Sequence, residues 1–308
     1  MEVTYEFPPF IRVYKDGHSE RILHSKFIPP SLDSSTGVTS KDVIIDSKTG
    51  VSARLYLPQN VNPLNKLPLL IYIHGGGFCI ESAFSPTYHN YLNSLVAESN
   101  VVGVSVEYRR APESPLPICY EDSWTALQWV ISQSGEEEWF KNYADFGRVF
   151  LAGDSAGGNI AHNVAIRAGV SQLKELNIVG LVLIHPLFIG VEPVGDEVIN
   201  LNHQRAGKLW RAVCPAATDS DDPRINPVKD PEFSRLGTKR VLVCVAEKDA
   251  LKDRGRLYYE KLGESGWDGV VEFMETQGVK HVFHLYNPSC EKARELMKRV
   301  VSFLSDSH

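Results

Sequence analysis

Apolar positions in the 308-residue chain cluster into eight short runs, with helical patterns set mostly between them. Asp42 to Asp46 and Val51 to Leu57 are rich in β-branched residues. The Ser47-Lys48-Thr49-Gly50 stretch between them is the signal of an antiparallel hairpin. Leu67 to His74 is nearly all apolar, as a strand buried on both faces should be. Val101 to Glu107, residues 148–152, Val179 to His185, Arg240 to Ala246 and Val270 to Glu275 supply the remaining strands. Helical segments lie among them at Tyr88 to Ser99, Tyr120 to Ser132, 155–169, Asp253 to Ser265 and Cys290 to Leu304. In the second of these Trp124, Leu127 and Ile131 share one side, and in the last Ala293, Met297, Val300 and Leu304 do. Such alternation predicts an α/β fold: a central, mostly parallel, eight-stranded sheet with helices on both faces.

Two stretches escape this rhythm. Residues 1–40 carry little periodicity and two proline pairs, Pro8-Pro9 and Pro29-Pro30. They read as an arm, with room for one short helix, draped over the body. Residues 186–239 are too many for a plain connection. There Phe188, Ile189, Leu209, Trp210 and Val213 are interleaved with prolines, so an inserted helical cap is expected. No repeat or low-complexity linker interrupts the chain. Residues 1–308 are therefore expected to form one domain, capped by the arm (about 1–40) and the insertion (about 186–239).

Composition narrows the function classes. With 43% hydrophobic and 23% charged residues the chain is of ordinary globular make-up. A net charge of −6 without a lysine or arginine tract counts against nucleic acid and anionic membrane surfaces. Apolar stretches such as Ile178 to Ile184 fall far short of the ~20 residues that a membrane span needs. Five scattered cysteines without Cys-x-x-Cys spacing are expected as reduced thiols, not as disulfides or a zinc site. Met1 to Glu6 is acidic where a secretory leader would be basic, and Ser305 to His308 matches no retention address. The expectation is a cytoplasmic protein with a small-molecule substrate, no metal and no cofactor; oligomeric state is left open.

Candidate chemistry centres on Val149-Phe150-Leu151-Ala152-Gly153-Asp154-Ser155-Ala156-Gly157-Gly158-Asn159. This is an apolar strand, a Gly-x-Ser-x-Gly turn and a small-residue run that opens a helix. A serine hydroxyl becomes a nucleophile when a sharp turn lifts it from the backbone and sets it beside a base. Glycines at 153 and 157 give that turn room. The Ala156 N–H, at a helix N-terminus, then faces any oxyanion forming next to Ser155. His74-Gly75-Gly76-Gly77-Phe78 follows a buried strand, and its bare N–H groups make Gly76 and Gly77 the other oxyanion donors. Asp249, after the strand 240–246, is the expected acid, with Glu247 and Asp253 as lesser candidates. His281 is the expected base, and His74 and His284 are read as structural. His18, His24, His89, His162, His185, His203 and His308 have no matching context, so surface or core roles are expected. Phe78, Ile80, Phe188 and Trp210 are the expected pocket walls.

The set formed by His74-Gly-Gly-Gly-Phe78, Tyr108-Arg109-Arg110-Ala111-Pro112-Glu113, Gly153-Asp154-Ser155-Ala156-Gly157-Gly158-Asn159, Glu247-Lys248-Asp249 and His281-Val282-Phe283 resembles the plant carboxylesterases. These form part of the hormone-sensitive-lipase-like branch of the α/β-hydrolases, and the likeness runs from about Ile11 to Phe303. It implies the α/β-hydrolase fold and esterase activity on short-chain or natural-product esters, through Ser155, Asp249 and His281. Relatives of that branch have other roles: gibberellin receptors lack the histidine, isoflavanone dehydratases carry threonine for the serine, and alkaloid cyclases disrupt the glycine triplet or the histidine. All of these positions are intact here, which favours hydrolysis over elimination, cyclisation or reception.

Overall fold

A computed structural model describes residues 2–173, 175–198 and 201–305. Eight strands form the main sheet: β4 (Thr39–Asp46), β5 (Val51–Leu57), β6 (Leu67–Ile73), β7 (Val102–Glu107), β8 (Ala144–Asp154), β9 (Ile178–Ile184), β10 (Arg240–Ala246) and β11 (Val270–Thr276). Their order is β11-β10-β9-β8-β6-β7-β5-β4. All neighbours from β11 to β7 are parallel, and only β5 runs against its neighbours β7 and β4.

Strand periodicity sorts the core into two layers. Leu69, Ile71 and Ile73 of β6 join one cluster with Leu127 of α2 (Ile118–Ser132), Ile160 of α4 (Ala156–Val170) and Leu262 of α6 (Lys252–Glu264). Leu70 and Tyr72 face the other way, among Leu92 of α1 (Pro86–Ser99) and Phe303 of the C-terminal helix α7 (Glu291–Ser305). Successive side chains thus serve opposite faces, as a sheet covered on both sides requires. Short α3 (Glu138–Tyr143) leads into β8.

The arm differs from expectation. Its described residues hold no helix; β1 (Val3–Phe7), β2 (Ile11–Tyr14) and β3 (Ser19–Arg21) form a separate antiparallel three-stranded sheet. Ion pairs from Arg12 to Glu6 and Glu20 tie its polar face together. Arg21 reaches the body, donating to the carbonyls of Cys79 and Ala111 and pairing with Glu113. Among its described residues the insertion carries one α-helix, α5 (Leu201–Val213), and single-turn 3-10 segments at Gly195–Val198, Pro227–Lys229 and Phe233–Arg235. Asn159 of α4 anchors it, donating to the carbonyls of Leu187 at 3.2 Å and Arg224 at 2.7 Å. A second anchor is the buried pair Arg254–Glu197, 2.8 Å apart. No helix among the described residues is long and apolar enough to cross a membrane.

Candidate active site

Ser155 stands between β8 and α4 with φ 52° and ψ −121°, a left-handed conformation costly for a residue with a Cβ. Local sterics explain the glycines around it. A Cβ on Gly153 would lie 2.4 Å from the Gly157 carbonyl, and one on Gly157 would lie 2.0 Å from the Ile73 carbonyl oxygen. The turn is therefore wedged against the end of β6. Its backbone is tied down as well: Ser155 N–H donates to Ile184 O at 2.9 Å, and Leu187 N–H donates to Ser155 O at 2.9 Å.

The three separated side chains meet. His281 Nε2 lies 2.9 Å from Ser155 Oγ, and His281 Nδ1 lies 2.6 Å from Asp249 Oδ2. A carboxylate only accepts, so Nδ1 carries the proton and Nε2 is left to accept the serine hydroxyl. Burial works against charge on His281. Attraction and the hydrogen bond from Asp249 more than offset it, leaving the imidazole above its ordinary pKa. Burial likewise opposes charge on Asp249. His281 together with the Leu251 N–H (3.0 Å) overcomes it and holds the carboxyl below its usual range. The lesser acid candidates are committed elsewhere: Glu247 accepts the Gly278 N–H at 2.5 Å, and Asp253 the Asp196 N–H at 2.9 Å.

Gly76 and Gly77 turn with φ 107° and 59°, and a Cβ on Gly76 would lie 2.2 Å from the Ile80 carbonyl oxygen. Among the described residues the N–H groups of Gly76, Gly77 and Ala156 have no acceptor, so all three are available to a ligand. This loop is coupled to the Ser155 turn. The Tyr88 hydroxyl accepts the Gly75 N–H at 2.8 Å and donates to Asp154 Oδ2 at 2.9 Å, while Tyr72 donates to Asp154 Oδ1 at 2.8 Å. Burial pushes the Asp154 carboxyl up to about 6, with both tyrosine hydrogen bonds working the other way. His74 belongs to the same scaffold: its Nδ1 bonds the Gly75 carbonyl at 2.8 Å and its ring stacks on Tyr108. Burial holds it neutral, with a pKa of about 3.

A cavity of about 380 Å³ opens on Ser155 and His281. Its apolar walls are Phe7, Pro8 and Phe10 from the arm, Leu187 and Leu209 from the insertion, and Leu251. Phe10 and Leu209 close over Gly77, whose added Cβ would meet them at 2.9 and 3.3 Å. The expected walls are corrected here: Phe78, Ile80, Phe188 and Trp210 do not line this cavity. Phe188 is buried and stacked on Tyr258, and Ile80 is buried beneath the glycine turn. Phe78 and Trp210 pack toward each other beside a neighbouring void of about 10 Å³. Phe188 and Trp210 of the insertion are drawn into the packing, and the space is bordered instead by Leu187 and Leu209 beside Phe7 and Phe10 of the arm.

One residue given no role from sequence stands beside the row. His185, at the end of β9, is buried, and its Nδ1 accepts the Val282 N–H at 2.9 Å. Its ring centroid lies 5.9 Å from that of His281. His284 is buried between Tyr91 and His185, and burial lowers its pKa to about 3. His185, Asp249 and His281 offer ligand atoms within 4.8 Å of one another. Asp249 and both His281 nitrogens are already engaged in the row, and His185 Nδ1 is taken by Val282, so a hydrogen-bonded cluster accounts for the arrangement. Among the other histidines His89 and His162 are buried and His18 and His24 exposed; His308 and the side chain of His203 lie outside the described residues.

A family model described as the alpha/beta hydrolase fold matches residues 70–285. The chain is 47% identical over 307 residues to probable carboxylesterase 2 of Arabidopsis thaliana, spanning 99% of this chain and 97% of that one. It is 45% identical over 317 residues to 2-hydroxyisoflavanone dehydratase of Glycyrrhiza echinata, spanning 98% of this chain and 98% of that one. Among solved structures, the Pyrobaculum calidifontis esterase superposes with a TM-score of 0.71 at 28% identity, covering 86% of this chain and 84% of that one.

Proposed function

The chain belongs to the plant carboxylesterase family of the α/β-hydrolases, and on that premise we propose that it is a serine carboxylesterase acting on small esters through an acyl-enzyme. One observation carries the reading: the hydrogen-bonded row from Ser155 Oγ through His281 to Asp249. His281 takes the serine proton as Oγ attacks the ester carbonyl. The oxyanion is held by the N–H groups of Gly76, Gly77 and Ala156, each worth about 3 kcal/mol of the barrier. Asp249 steadies the imidazolium, which then protonates the departing alcohol. Water, deprotonated by His281, attacks the acyl-enzyme; the proton returns to Oγ and the acid leaves.

The N-terminal strands and the 186–239 insertion together act as the cap of a single domain, giving the substrate an apolar wall that the sheet loops alone would not provide. A cytoplasmic location goes with this reading and is supported by five scattered cysteines, all unpaired. The test is product-resolved turnover of a 4-nitrophenyl ester: acid plus phenol in equal amounts, with an acyl adduct on Ser155 in quenched reactions. Ser155→Ala should lose nearly all turnover. A wild-type rate in that variant would discard the scheme, and an unsaturated or ring-closed product from a natural substrate would make hydrolysis a side reaction.

A further inference from the structure

Four charged side chains line the cavity over Ser155: Arg205, Lys248, Asp249 and Lys280. Asp249 is buried and committed to His281. The other three are all cations, and they are exposed. They come from three separate elements: α5, the loop after β10 and the loop after β11. Backbone geometry sets two of them side by side, since the Lys248 N–H donates to the Val279 carbonyl at 2.9 Å and clips one loop to the other.

None of the three has a carboxylate partner among the described residues, whereas the cations of α6 do. Just past Lys248, Lys252 pairs with Asp196 at 2.8 Å, Arg254 with Glu197, and Arg256 with Glu275. Farther along α5, Lys208 and Arg211 beside Phe7 are also without a carboxylate among the described residues, so the unneutralised cationic face continues from the rim along that helix. A solvated lysine on a loop is ordinary. Three unpaired cations converging on the mouth of one apolar cavity, on a molecule of net charge −6, make a local field opposite in sign to that of the whole.

We propose that the ester this site takes is amphiphilic. Its apolar body lies against Phe7, Phe10, Leu187 and Leu209, and a carboxylate elsewhere on the molecule is drawn to Arg205, Lys248 and Lys280. The proposal rests on the esterase reading and names its substrate class. Attraction at an exposed rim acts through solvent, so it speeds capture and is screened by salt, with a Debye length of about 8–10 Å at ordinary ionic strength.

The experiment measures kcat/KM for two matched pairs of esters. One pair has the carboxylate in the acyl chain (mono-4-nitrophenyl adipate against 4-nitrophenyl hexanoate). The other has it in the alcohol (4-acetoxybenzoate against its methyl ester). Wild type is compared with Arg205→Gln/Lys248→Gln/Lys280→Gln and with each single replacement, so a folding failure of the triple variant leaves three further readings. In at least one pair the anionic-to-neutral ratio should fall about tenfold in the triple variant, partly in the singles, and likewise in wild type on adding 0.5 M salt. A ratio unchanged by every substitution in both pairs, with neutral esters still cleaved, overturns the substrate class and leaves the esterase standing. If wild type cleaves none of the four esters, the esterase reading fails and this proposal falls with it.

Discussion

His185 Nδ1 accepts the backbone N–H of Val282, at 2.9 Å, one residue beyond the proposed base. Val282 has φ 43° and ψ 34°, a left-handed conformation that a β-branched residue avoids. The hydrogen bond holds that conformation and so sets the direction in which His281 leaves the backbone. His185→Phe keeps a buried ring but removes the acceptor. It should cost about 1–3 kcal/mol in denaturant unfolding. It should also lower kcat with little change in KM, because the base is displaced while the cavity walls are not.

Tyr88 couples the glycine loop to the Ser155 turn through one hydroxyl, bonded at 2.8 Å to Gly75 N and at 2.9 Å to Asp154. Tyr88→Phe leaves a buried N–H without an acceptor and a buried carboxylate short of one donor. Stability should fall by about 1–3 kcal/mol. Turnover should fall with it, since the donors at Gly76 and Gly77 lose their tether. Equal kcat in the variant would show that the loop is held by its own packing.

The acid limb of the pH profile should report His281. The base is active only when neutral, so kcat/KM should rise with pH through its free-enzyme pKa, which Asp249 holds above the ordinary histidine value. Asp249→Asn removes the attraction that raises it. In that variant the limb should move to lower pH and the plateau should drop by about 10⁴-fold, as the imidazole loses the partner that fixes its tautomer. A profile whose acid limb stays in place would mean that another group titrates there.

Gly157→Ala should be among the most damaging single-atom-scale changes in the chain. The added Cβ would lie 2.0 Å from Ile73 O and 2.5 Å from His74 O, and backbone has nowhere to yield. Overpacking of this kind costs about 1–3 kcal/mol or more, and loss of activity should exceed loss of stability because Ser155 is displaced. Gly135→Ala, with nothing within 4 Å of the added atom, is the control and should melt near the wild-type temperature.

The inner strands of the main sheet are legible in the sequence because they bury dense apolar side chains, the edge strands β4 and β11 by their β-branched runs although they bury little, and the Ser155–His281–Asp249 row because its residues follow strands. Edges were less legible. β4 begins at Thr39, ahead of Asp42, since Thr39-Ser40-Lys41 pair with Leu57-Tyr56-Leu55 although their side chains are polar. β1 to β3 escaped notice because Pro8-Pro9 interrupts them and ion pairs, with few apolar side chains, face one side. His185 gave no local signal; only its place at the end of the strand next to β8 distinguishes it. The pocket walls differ from the expected ones for a physical reason. Bulk draws Phe188 and Trp210 into the core, and which aliphatic residue then borders the cavity is decided by packing across segments distant in sequence.

The separate three-stranded sheet bears on how such a molecule can change. In the proposed reaction Phe7, Phe10, Leu187 and Leu209 decide what fits, whereas Ser155, His281 and Asp249 stand on turns of the central body. Mutational drift at Phe7, Phe10 or Leu209 can retune the cavity while the row from Ser155 to Asp249 goes untouched. One ancestral chassis can in this way diversify toward many acids and alcohols by exchanging two peripheral stretches.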